Sequence, residues 1–186
     1  MRRPARIGSR PGMRRALALA RPVRLLVLDV DGVLTDNAVS HDGPGPGLKR
    51  FGIQDGMGVK LCQHAGIEVA VISGLGNIQA EQRSRELGIR EFHGGHLRKL
   101  PVLEKIMAAK CLEFSQVAYM GDDWLDAQIM ARVGLPLAPV DAQPEILRIA
   151  AWISKRPGGC GAVREAIRFI LLAQGKLDRM WREWRD

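Results

Sequence analysis

From Arg24 onward the chain alternates two hydrophobic textures. Continuous apolar runs occur at 24–30 (RLLVLDV), 67–72 (IEVAVI) and 116–120 (QVAYM), with further candidates at 135–140 (LPLAPV) and a short piece at 151–153. Between and after them lie amphipathic stretches over about 57–65, 77–88, 98–111, 124–133, 143–150 and 161–174. An unbroken apolar run marks a strand buried on both faces, as in a parallel sheet covered by helices. Gly66, Gly88 and Gly134 stand where three of the helices should stop. The pattern predicts an α/β fold, a doubly wound, Rossmann-like and mainly parallel sheet with helices on both faces.

One segment breaks the rhythm. Residues 37–54, NAVSHDGPGPGLKRFGIQ, carry DGPGPG between two strand-like pieces and predict a β-hairpin inserted directly after the first strand. Its position stands it over that strand's carboxyl end, where open α/β sheets bind ligands.

Composition changes this picture at the ends of the chain. The 186 residues carry a formal charge of +8, and residues 1–24 hold eight arginines and no acid, so 8 − 8 leaves residues 25–186 formally neutral. The basic character belongs to a tail and argues against a nucleic-acid-binding face on the folded part. Residues 1–22 are expected to be a disordered basic tail, 23–178 one domain and 179–186 a C-terminal tail, with Met13 a second candidate start. The apolar piece Ala16–Ala20 is too short for a membrane span. Cys62, Cys111 and Cys160 are odd in number and far apart, which fits a reducing cytoplasm and no disulfide framework. Met180, Trp181 and Trp184 fall at helical spacing and read as a core or oligomer-contact stripe.

The candidate chemistry sits where the strands end. Asp29 and Asp31 follow the first strand, Ser73 the second, and Asp122, Asp123 and Asp126 follow AYMG. Parallel strands bring these ends side by side, and gathering five acids there is costly without a cation. Oxygen-only ligands with no nearby histidine select a hard ion such as Mg²⁺. His93 and His96 have no cysteine or acid at ligand spacing, which argues against a transition-metal site.

DVDGVLTD, ISG, a downstream lysine and GDDWLD together resemble the haloacid dehalogenase-like phosphohydrolases. With LKRFGIQDGMGVKLC and GGCGAVREAIRFILLAQGKLD, residues 22–178 are similar to the small capless branch, the 3-deoxy-D-manno-octulosonate 8-phosphate phosphatase family. The resemblance implies a homotetramer without a cap domain, in which hairpins of four subunits pack together. It makes Asp29 the nucleophile that forms an aspartyl-phosphate, and Asp31 the acid and base. Mg²⁺ would be held by Asp29, the carbonyl of Asp31, and Asp122. Ser73 and Lys99 would hold the phosphoryl oxygens. Asp123 would support Lys99 or a metal-bound water, with Asp126 behind them. The implied substrate is a sugar-acid phosphate, with no membrane or nucleic-acid partner.

Three positions depart from the family pattern. Leu75 follows Ser73-Gly74 where an arginine near the sugar acid is usual, the hairpin has gained GPGPG, and Met57 replaces a frequent aromatic. Leu75 leaves a nonulosonate 9-phosphate or another small phosphate ester as an alternative substrate, beside a non-catalytic relative. Residues 158–164, GGCGAVR, predict a mobile glycine-rich loop, with Arg164 open to a substrate, interface or plain surface role.

Overall fold

Alternate residues of the first strand face opposite layers, and this organises the molecule. In β1 (Leu25–Leu28), Leu26 and Leu28 join one apolar cluster while Leu25 and Val27 join another. A computed structural model describes residues 11–41, 43 and 47–186. Five further strands flank β1: β2 (Glu68–Ile72), β3 (Glu91–His93), β4 (Val117–Met120), β5 (Leu135–Ala138) and β6 (Trp152–Ile153). All pair in parallel, in the order β3-β2-β1-β4-β5-β6.

One face carries α1 (Pro11–Ala20), α2 (Ile53–His64), α3 (Ile78–Glu86), α7 (Ala162–Ala173) and α8 (Leu177–Arg185). The other carries α4 (Leu100–Ala109), α5 (Trp124–Met130) and α6 (Pro144–Ile149). The doubly wound expectation holds, with two additions. β3 is short, polar and half-buried at the sheet edge, so no apolar run announces it. Helix α2 also begins a turn before the expected start at 57.

The tail expectations are corrected from Pro11 on. Ala16 and Ala20, one turn apart, are buried, so α1 seats closely against α7 and β5 while Arg14 and Arg15 face solvent. The arginines dominate the composition, yet small residues on the opposite side fold the segment. The rest of the expected disordered tail, residues 1–10, lies outside the described residues. At the other end residues 179–186 are no loose tail: Met180 is buried in α8, and Trp181 and Trp184 are exposed.

After β1 the chain rises and returns through two antiparallel bridges, Thr35 with Phe51 and Ser40 with Leu48. The hairpin's tip residues Asp42 and Pro44–Pro46 lie outside the described residues. The 158–164 segment, expected to be mobile, is packed backbone against backbone at the hairpin's base. A side chain at Gly158 would collide with the carbonyl of Gly32, and the Gly159 N–H donates to the Val33 carbonyl at 2.9 Å. The glycines there permit close approach rather than motion.

Asp55 locks this arrangement. Helix α7 opens at Gly161, which has no side chain to cap it, so Asp55 of α2 supplies the acceptors. Its buried carboxylate accepts the N–H groups of Gly161 and Arg164, both at 2.9 Å. Asp55→Ala strands both donors and should cost about 2–4 kcal/mol in urea unfolding. Replacing exposed Cys160 by Ser should stay within about 0.5 kcal/mol. A loss below about 1 kcal/mol for Asp55→Ala would contradict the role given to this cap.

Candidate active site

Strand register brings the polar ends together. Leu28 lies opposite Val71 of β2 and Met120 of β4, so Ser73 and Asp122, each two residues beyond the pair, flank the Asp29–Val30 extension of β1. The Asp29 N–H continues the ladder by donating to the Met120 carbonyl at 3.1 Å. Gly32, at φ +76°, lies where any side chain would strike the Asp122 carboxylate. That glycine keeps the space between the ends of β1 and β4 open to the acid.

Lys99, at the start of α4, is 1% exposed and points its ammonium into this space. Nζ lies 2.8 Å from Asp29 Oδ1 and 2.6 Å from Asp126 Oδ1. It also donates to the Tyr119 hydroxyl at 3.3 Å, and that hydroxyl donates to the same Asp126 oxygen at 2.6 Å. The second oxygen of Asp126 accepts the N–H groups of Asp122 at 2.9 Å and Asp123 at 3.3 Å.

This geometry corrects the ranking of the two trailing acids. Asp123, expected to support Lys99 or a metal-bound water, is exposed, makes no contact with Lys99 and caps α5 by accepting the Trp124 N–H at 2.6 Å. Three residues on, the first helical turn carries Asp126 back beneath the strand end, fully buried, where it holds Lys99. Sequence reasoning missed Tyr119 entirely. Its signal was being the chain's single tyrosine, on a central strand, where a buried hydroxyl needs a partner. It also missed Lys49, on the hairpin's returning arm, whose nearly buried side chain forms an ion pair with Asp31 and sets where that half-exposed carboxyl points. Ser73 is buried, its hydroxyl oxygen accepting the Leu75 N–H at 3.3 Å. Leu75, Leu97 and Leu125 are exposed beside it; leucine methyls of the last two line Gly74 and form an apolar rim.

The electrostatics are unbalanced. Asp29, Asp122 and Asp126 place carboxylate oxygens within 4.8 Å of one another, against the single buried ammonium of Lys99. Burial, then the charge of Asp126, pushes Asp29 up to about 7, although Lys99 pulls the other way. Burial, then Asp29 and Asp126, pushes Asp122 up to about 8. For Lys99, burial disfavours the charge, but the two aspartates outweigh it and hold its proton above the ordinary lysine value. Asp122 Oδ1 is buried with no hydrogen-bond partner. Asp126 has both oxygens engaged, so Asp29 and Asp122 are the carboxylates left for a cation. An orphaned acid oxygen in an all-oxygen, overly negative site fits Mg²⁺.

A parallel sheet with this acid cluster, and no cap domain among the described residues, defines a haloacid dehalogenase-like phosphohydrolase of the capless branch. No protein-family model matches the chain. The 3-deoxy-D-manno-octulosonate 8-phosphate phosphatase KdsC of Escherichia coli (strain K12) is 40% identical over 162 residues, 87% of this chain and 86% of that protein. The phosphatase of the same name from Yersinia pestis superposes with a TM-score of 0.86 at 39% identity, covering 88% of this chain and 89% of that one. The one from Moraxella catarrhalis, solved with magnesium, phosphate and KDO, gives 0.90 at 30% identity over 92% and 99% of the two chains. The chain belongs to the 3-deoxy-D-manno-octulosonate 8-phosphate phosphatase family and is a phosphoric monoester hydrolase. Among the described residues no helix is long and apolar enough to cross a membrane.

The raised acids make stability depend on metal and pH together. Both folded values, about 7 and about 8, exceed the ordinary 3.8, so without metal the fold takes up protons that the unfolded chain does not. Metal-free stability should therefore fall as pH rises from about 4 to about 8. Mg²⁺ needs the deprotonated acids, so it should raise Tm more at about pH 8.5 than at about pH 5.5. Thermal melts with Mg²⁺ or EDTA check this, and equal Mg²⁺ shifts at both pH values would contradict it.

Proposed function

We propose that this Mg²⁺-dependent phosphatase hydrolyses 3-deoxy-D-manno-octulosonate 8-phosphate to the free sugar acid and phosphate, with Asp29 as nucleophile. The observation that carries the role of Asp29 is its placement at the end of the central strand, held by buried Lys99 and backed by Asp31 two residues on.

In the first half-reaction an Asp29 oxygen attacks phosphorus, the phosphorus–ester oxygen bond breaks, and Asp31 gives its proton to the departing alkoxide. In the second, Asp31, now ionised, takes a proton from the water that attacks the aspartyl-phosphate, releasing phosphate and restoring Asp29. The Ser73 hydroxyl and the Lys99 ammonium hold the transferring oxygens where charge gathers. Asp126 and Tyr119 position Lys99, and Lys49 orients Asp31. The cation's seat is assigned to Asp29, the Asp31 carbonyl and Asp122. Bound there, Mg²⁺ supplies the positive charge that lets a carboxylate approach an anionic ester.

The name shared by the relatives supports the octulosonate ester as substrate. Leu75 favours a second reading, a nonulosonate 9-phosphate or another small ester, because leucine cannot pair with a sugar carboxylate. The exposed leucine rim supports the proposed homotetramer, in which a second copy covers the site's mouth.

Phosphate release from octulosonate 8-phosphate with Mg²⁺ should fall at least about 10³-fold in Asp29→Asn. Leu75→Arg should lower KM for that ester about tenfold and leave kcat nearly unchanged, the effect of one added charge-assisted hydrogen bond. Faster turnover of a simple sugar phosphate than of the sugar acid by the wild type would overturn the substrate assignment. Turnover undiminished in Asp29→Asn would overturn the nucleophile.

A further inference from the structure

Helix α8 folds back across α2 and α7, tied by Lys176 Nζ donating to the Ala65 carbonyl at 2.9 Å and by His64 facing Glu183 at 3.2 Å. The fold-back leaves a groove of about 260 Å³, close to the lower end, about 300 Å³, of pockets that hold small ligands. Leu61, Leu171 and Met180 line it, and exposed Trp181 and Trp184 form its rim. None of the catalytic candidates lines it.

Two arginines one helical turn apart, Arg164 and Arg168, also line this apolar space. Neither forms an ion pair with an acid among the described residues. Asp55, whose charge acts on Arg164, spends its oxygens on the backbone N–H groups of Gly161 and Arg164. Nη1 of Arg164 is shut away from solvent with no hydrogen-bond acceptor. A buried guanidinium N–H without a partner leaves the Arg164 charge poorly compensated, and the negative charge of a carboxylate or phosphate in the groove would offset that cost. Burial and the like charge of Arg168 both disfavour its charged form, which an anion would relieve.

We propose that this groove is a binding site for a small amphipathic anion, an apolar chain ending in one carboxylate or phosphate. The head pairs with Arg164 and Arg168, and the chain lies on the leucines and Met180 beneath the tryptophans. The two cations select against a neutral apolar ligand. The groove's size selects against a full lipid.

Calorimetric titration of the full chain with octanoate and with octyl phosphate tests the site. These probes separate a carboxylate from a phosphate head, and octanol serves as the uncharged control. At least one anion should bind saturably, at least tenfold tighter than octanol, and remain bound in saturating inorganic phosphate with Mg²⁺. Arg164→Gln should weaken it at least tenfold; this variant keeps the backbone N–H bond to Asp55, and Arg168→Gln on the exposed side gives an independent check. The proposal is overturned by no saturable binding of either anion, by equal binding of octanol, or by displacement with phosphate and Mg²⁺. It is also overturned if Trp181→Ala converts a stable oligomer to monomers while neither anion binds, since a second copy would then occupy the groove.

Discussion

The ammonium of Lys99, held between Asp29 and Asp126, is the contact on which the site depends. Removing an ion pair from water is rarely favourable by itself, and here three buried acids face one buried base. The fold tolerates this because each Asp126 oxygen is used: one by Lys99 and Tyr119, the other by two backbone N–H groups at the end of β4. With Asp126 satisfied, the remaining deficit falls on Asp29 and Asp122, whose proton affinities are raised by burial first and by the neighbouring acids second. A divalent cation removes that deficit and leaves a carboxylate free to act as nucleophile. Structure and chemistry therefore share one electrostatic requirement.

The scaffold serves that requirement by backbone contact as much as by apolar burial. The 158–161 turn lies against the hairpin's base, and Asp55 fastens α7 to α2 beside it. These contacts fix the arm that returns Lys49 to Asp31. The hairpin thus reaches the candidate acid/base through a defined side chain, while the leucine rim leaves the mouth open to solvent or to another subunit.

The central strands and their acids were legible because both obey short-range rules: apolar runs make buried parallel strands, and acids at their ends converge. What escaped depended on contacts distant in sequence. Asp55 reads as an unremarkable acid just ahead of the expected helix until Gly161 and Arg164 arrive from the far end of the chain. Lys49 gains meaning only when the hairpin closes on Asp31. The order of Asp123 and Asp126 turns on which way one helical turn rotates, a detail that spacing alone left open. β3 hid because an edge strand needs little apolar content, and α1 because eight arginines overshadowed two buried alanines.

The central claim is that Asp126 positions Lys99 while Asp122 receives the metal, although both are buried acids in one cluster. Mg²⁺ binding by calorimetry to Asp122→Asn and Asp126→Asn, beside the wild type, separates these roles most directly. Asp122→Asn should lose well over about 100-fold in Mg²⁺ affinity, whereas Asp126→Asn should lose no more than about 10–100-fold, the range for groups that only orient a ligand. Equal loss of Mg²⁺ affinity in the two variants would contradict it and make Asp126 a metal ligand.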